Sequence, residues 1–99
     1  MMFEYHIKSS IDLDEILEYL EKKSEKKEGK LNYYEGKNHK EIVKELPLKD
    51  LKKEILETYY DDKWPSAKFG DFEINLDENL IIINSDKELD LSKFDAEIK

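Results

Sequence analysis

The chain has 99 residues, with 17 lysines, 25 acids, no cysteine and no arginine, and its net charge is −8. That length makes one domain, residues 1–99, able to bury roughly 65% of the surface its unfolded chain exposes without metal or disulfide staples. The absence of cysteine excludes thiol catalysis, thiolate zinc sites and a disulfide framework. The absence of arginine, the planar fork that reads phosphates and base edges, argues against direct nucleic-acid binding. No stretch approaches the roughly 18 apolar residues of a membrane span, and the N-terminus lacks the apolar run of a secretory leader. The expectation is a cytoplasmic protein that holds no cofactor and no metal.

Phe3, Tyr5 and Ile7 alternate with Glu4, His6 and Lys8, the period of a half-buried strand. Asp12 is a good helix N-cap, with Glu15 spaced to complete a capping box and Ile11 placed to pack on Ile16. Leu13, Ile16, Leu17 and Leu20 then form one helical stripe. Beyond Leu20 the run EKKSEKKEGK offers only charge until Gly29, a suitable C-terminal cap. The segment LNYYEG at 31–36 is a short connector, strand or loop. Asn38 and Glu41 repeat the cap-and-box spacing, and Ile42, Val43 and Leu46 predict a helix of one or two turns before Pro47. Pro47 fits the first turn of a second helix, whose stripe is Leu48, Leu51, Ile55 and Tyr59 and whose end falls near Tyr60.

The strongest local pattern is FGDFEINLDENLIIIN at 69–84. Phe72, Ile74 and Leu76 alternate with polar residues, Asp77, Glu78 and Asn79 favour a turn, and Leu80 to Ile83 is an unbroken apolar run. This predicts an antiparallel hairpin whose second strand is central and covered on both faces. Ser85 and Glu88 would cap a short helical turn carrying Leu89, and Leu91, Phe94, Ala96 and Ile98 suit an edge strand or irregular arm. Together these elements predict a small α+β domain: the N-terminal strand and the C-terminal hairpin in a sheet of three to four strands, packed by two main helices.

The parts of a catalytic site are scarce. His6 and His39 are the two histidines, no serine sits in a glycine-flanked elbow, and the few glycines form no phosphate-cradling loop. Glu35 and His39 are spaced for one helix face but lack a third ligand, and Asp12, Asp14, Asp77 and Glu78 do not follow a calcium-loop pattern. The reading is therefore a non-enzymatic binding protein. Residues 61–99 hold 11 acids and 5 lysines, against 14 and 12 in residues 1–60, so negative charge concentrates in the C-terminal part. Within it, Tyr60, Asp61, Asp62, Trp64, Asp71 and Glu73 set aromatic anchors among carboxylates, as interface hot spots do. Asp77 and Glu78 extend the acidic surface. These eight residues are the candidate partner-binding set.

Small acidic proteins of this type include phage-encoded inhibitors such as anti-CRISPR proteins and the immunity proteins of nuclease toxins, in which carboxylates occupy a basic, nucleic-acid-handling surface. The alternative is a structural or assembly subunit that self-associates through its C-terminal arm, as a homodimer rather than a monomer. The order strand, SSIDLDEILEYL, NYYEGKN also resembles the N-terminal part of the barstar family of ribonuclease inhibitors. That likeness would place Tyr33, Tyr34, Glu35, Gly36, Asn38 and Glu41 beside an inhibitory face. It covers about a third of the chain, the Lys/Glu run has no counterpart in it, and an antiparallel hairpin conflicts with that family's parallel sheet, so the chain is not assigned to it.

Overall fold

The computed structural model describes residues 2–8 and 12–99. Strand β1 (Phe3–Lys8) is followed by helix α1 (Leu13–Lys23), strands β2 (Glu28–Glu35) and β3 (Lys40–Pro47), helix α2 (Leu48–Tyr60), strands β4 (Ser66–Phe69), β5 (Phe72–Leu76) and β6 (Leu80–Ser85), a 3₁₀ turn at Ser92–Phe94, and strand β7 (Glu97–Ile98). The strands form one seven-stranded sheet in the order β3-β2-β4-β5-β6-β1-β7. Every neighbouring pair is antiparallel. The expectation of three to four strands is therefore wrong, although the α+β class and the two helices stand.

The missing strands are β2, β3 and β4. Residues 38–46 are not a helix: β3 pairs with β2 over eight positions, from Glu28 opposite Pro47 to Glu35 opposite Lys40. Ile42 and Leu46 face the helices, while Val43 turns to the other side and stays 47% exposed. The apolar residues at 42, 43 and 46 imitate a helical stripe only because one of them lies on the opposite face. The resemblance to barstar fails for the same reason, since Tyr33, Tyr34 and Glu35 lie on β2 and Glu41 on β3 of an antiparallel hairpin.

Helix α1 starts as its sequence dictates, with the Asp12 carboxylate accepting from the Asp14 amide at 3.0 Å. Glu15 points to Lys93 at 3.3 Å, and the expected contact of Ile11 with Ile16 lies outside the described residues. The helix stops at Lys23, not at Gly29, because the Ser24 amide closes on the Leu20 carbonyl at 2.9 Å and the chain turns away. Gly29 belongs to β2, where a Cβ would sit 2.0 Å from the Lys68 carbonyl oxygen and 2.7 Å from Leu51. Glycine there lets α2 and β4 close on β2.

Both helices cover one face of the sheet. Leu13, Ile16, Leu17 and Leu20 of α1 and Leu48, Leu51 and Ile55 of α2 join Tyr5, Ile7, Leu31, Phe69, Phe72, Ile74, Ile81 and Ile83 in a single core. Full burial of such side chains stabilises by roughly 1.5–3 kcal/mol each. The segment after β6 closes this layer with Leu89, Leu91 and Phe94. Its backbone is held by two tyrosines: the Leu89 amide donates to the Tyr5 hydroxyl at 2.7 Å and the Asp90 amide to the Tyr19 hydroxyl at 3.0 Å. The helical turn expected at Ser85 is replaced by a Ser85 hydroxyl that caps the Lys87 amide at 3.1 Å, and the chain then ends in β7 along β1.

The expected hairpin of β5 and β6 forms, with Leu76 opposite Ile81 and Ile74 opposite Ile83. β6 is central, lying between β5 and β1. It is covered on one face only: Ile81 and Ile83 are buried under the helices, whereas Leu80 and Ile82 are half-buried on the open side. That open face is charged and polar. One row across it runs Glu45, Lys30, Lys68, Glu73, Asn84 and Glu4.

Candidate partner-binding surface

The C-terminal end of α2 carries the largest exposed aromatic group of the described residues. The helix closes with the Lys63 amide on the Thr58 carbonyl at 3.2 Å and the Asp62 amide on that of Tyr59 at 3.1 Å. This paired closure requires a left-handed residue in between, a place glycine normally fills. Asp62 occupies it with φ of 58°. Two residues later Trp64 also has a positive φ, 46°, a conformation that is an outlier for a bulky side chain.

This backbone holds the Trp64 indole edge-on to Tyr59, with ring centroids 5.9 Å apart, and Tyr59 in turn meets Tyr60 at 5.6 Å. Trp64 remains 39% exposed and Tyr60 68%. Asp61 and Asp62 are exposed beside them. Lys63 bonds Glu35 at 2.7 Å, lies over the Tyr33 ring at 5.4 Å and approaches Asp61 at 3.9 Å. The hydrogen bond between Lys63 and Glu35 holds the carboxyl below its usual range and lifts the ammonium above its own. It ties the tip of the β2–β3 hairpin to the loop after α2.

The other candidates divide by place. The Leu76 amide donates to the Pro65 carbonyl at 3.2 Å, which sets Asp77 and Glu78, in the turn after β5, at the same end of the molecule as Trp64. Glu73 projects from the open face, opposite Lys68 on β4 and Asn84 on β6. Asp71 lies at the far end of β5 and is engaged within the molecule. Its carboxylate accepts from the Glu25 amide at 2.8 Å and lies 3.7 Å from Lys87. The Glu25 amide bond, more than the neighbouring lysines, depresses the Asp71 pKa. Next to it Gly70, with φ of 64°, passes under the chain that leaves α1: a Cβ there would meet the Ser24 hydroxyl at 2.0 Å and the Lys26 carbonyl at 2.7 Å.

The structure thus gathers Tyr60, Asp61, Asp62 and Trp64 with Asp77 and Glu78, and sets Glu73 and Asp71 apart. Glu35 and His39 do not share a helix face, since Glu35 ends β2 and His39 turns the hairpin with φ of 49°. Sequence reasoning missed Lys63, and it named Tyr34, 57% exposed on the open face, only through the barstar likeness. The available signal was the strand period, which puts Leu31 and Tyr33 on one face and Tyr34 on the other.

The fold and this surface define a small α+β domain with one seven-stranded antiparallel sheet, two helices on one side and an aromatic, acidic pole. Comparison with protein-family models, curated proteins and solved structures finds no significant match. No helix among the described residues is long and apolar enough to cross a membrane.

Proposed function

We propose that the chain is a non-catalytic, cytoplasmic binding protein that inhibits a basic, nucleic-acid-handling protein by seating its acidic pole on that partner's cationic surface. The observation that supports this reading is Trp64, kept 39% exposed on a left-handed backbone beside Tyr60, Asp61 and Asp62. Backbone strain of this sort costs on the order of 1–3 kcal/mol and persists chiefly where function retains it. Aromatic anchors supply the buried contact of a hot spot, and the aspartates supply steering and selection of a positive partner.

The test is affinity capture from cell lysate at low and high salt, comparing the native chain with Asp61→Lys/Asp62→Lys and Trp64→Ala. A basic nuclease or other nucleic-acid-binding protein retained only by the native chain, and released by salt, is the expected result. Equal capture by all three removes the pole from consideration. Asp71 is left intact in this test because it supports the fold.

A second reading, self-association through the C-terminal arm, draws on β7, a two-residue outer strand in which Ile98 is 63% exposed. Light scattering separates the two: a dimer that becomes monomeric on removal of residues 97–99 supports assembly, and a native monomer refutes it. The cut stops at 97 because Leu89, Leu91 and Phe94 belong to the core.

A further inference from the structure

We propose that the free edge of β3 is an acceptor for an extended segment of another protein, charge-coded to refuse a second copy of this chain. Among the described residues β3 ends the sheet and pairs with β2 alone, in a register unbroken over eight residues, with proline confined to its last position. Its outer backbone groups therefore form a continuous row of donors and acceptors, the arrangement that strand addition uses. Long edges of this kind are commonly blunted by charged side chains, proline, bulges, covers or shortness; β3 uses charge, and one of its lysines, Lys44, is paired with Glu54 of α2 at 3.1 Å. Lys40 and Glu41, then Lys44 and Glu45, bracket Ile42 and the half-exposed Val43.

That order works against homotypic pairing. Two copies related by a twofold axis meet antiparallel, with residues on the same face opposite each other. A centre on Val43 sets Glu41 against Glu45 twice, and a centre on Ile42 sets Lys40 against Lys44 twice. Centres on Glu41, Lys44 or Glu45 set that residue against itself. Every register with substantial overlap places like charges opposite one another, which is destabilising. A heterologous strand escapes the conflict. The complementary one carries bases opposite Glu41 and Glu45, acids opposite Lys40 and Lys44, and apolar residues opposite Ile42 and Val43.

The experiment uses the full chain and two synthetic eight-residue peptides. One has lysine opposite Glu41 and Glu45, glutamate opposite Lys40 and Lys44, and β-branched residues elsewhere; the other has its lysines and glutamates exchanged. Amide exchange and ¹H–¹⁵N shifts report binding. The first peptide is expected to protect and shift β3 amides, not those of β7, with affinity about tenfold or more above the second. Equal response to both peptides, or none to either, overturns the proposal, as does a native chain that dimerises through β3. E41Q/E45Q removes the like pairs from the register centred on Val43 and is expected to dimerise; a variant that stays monomeric overturns the charge argument. Asp62→Lys leaves peptide binding unchanged, which separates this edge from the aromatic pole.

Discussion

Replacing Gly70 by alanine tests how the β4–β5 turn is held against the chain that leaves α1, because this glycine combines a positive φ with close packing. The left-handed conformation costs a residue with a Cβ about 1–2 kcal/mol. The added methyl would also lie 2.0 Å from the Ser24 hydroxyl and 2.7 Å from the Lys26 carbonyl, so the chain at 24–27 must move. Moving it breaks the Asp71 amide bond to the Ser24 hydroxyl, 2.9 Å, and the Glu25 amide bond to the Asp71 carboxylate, 2.8 Å. These contribute about 0.5–1.5 and 1.5–3 kcal/mol respectively. With about 0.4–1 kcal/mol returned by the stiffer unfolded chain, the expected loss is about 2–6 kcal/mol, a large part of the roughly 5–15 kcal/mol of a typical domain. Gly36 is the control: its φ is 77°, but a Cβ there meets nothing within 4 Å, so Gly36→Ala should lose about 1 kcal/mol. Urea titrations of both variants, read at unchanged slope, give the comparison. If the two losses agree within about 1 kcal/mol, the packing at Gly70 is not what the distances imply.

Tyr5→Phe leaves the buried Leu89 amide without its 2.7 Å partner and should cost about 1–3 kcal/mol without opening a cavity, seen as a lower melting temperature; an unchanged melt refutes it. Asp71 titrates below its ordinary value of 3.8 in the folded chain, chiefly through the Glu25 amide. Its contribution is therefore complete above 3.8 and lost as pH falls through the lower folded value. The stability gap between native chain and Asp71→Asn should be constant from neutral pH down to that range and close beneath it, and a gap that widens in acid contradicts the assignment. Relative to a free tryptophan derivative, Trp64 fluorescence should show a raised ratio of caesium to iodide quenching, because Asp61 and Asp62 flank the exposed ring; a ratio at or below that of the free indole would contradict the acidic surroundings.

The parts of the fold legible in sequence are those where one element carries its own periodic signal. β1, α1, α2 and the β5–β6 hairpin each align apolar residues on one side, and burial follows that alignment. β2 and β3 carry almost none of it. No residue of β3 is fully buried, and Leu31 is the one fully buried residue of β2, so lysine and glutamate occupy positions that propensity assigns elsewhere. What makes them strands is pairing with each other and with β4, which no local window contains. β4 itself is four residues long, and Ala67 and Phe69 are its whole apolar pattern. The candidate site was legible as composition, in Tyr60, Trp64 and the aspartates. Its geometry was not, because whether Asp71 faces a partner or the Glu25 amide depends on where the chain after α1 crosses the β4–β5 turn.

The antiparallel partnership of β1 with β6 joins Phe3 to Ser85 and Lys8 to Leu80. The first strand waits for one of the last, and until residues 80–85 have emerged it has neither neighbour, since β7 comes later still. Closure of so long a loop precedes the gain from the contacts it permits, which places assembly of this sheet toward the slow, millisecond-to-second end for small domains. During synthesis, Tyr5 and Ile7 therefore lack their strand partners Ile83 and Ile81 until residues 80–85 have been made.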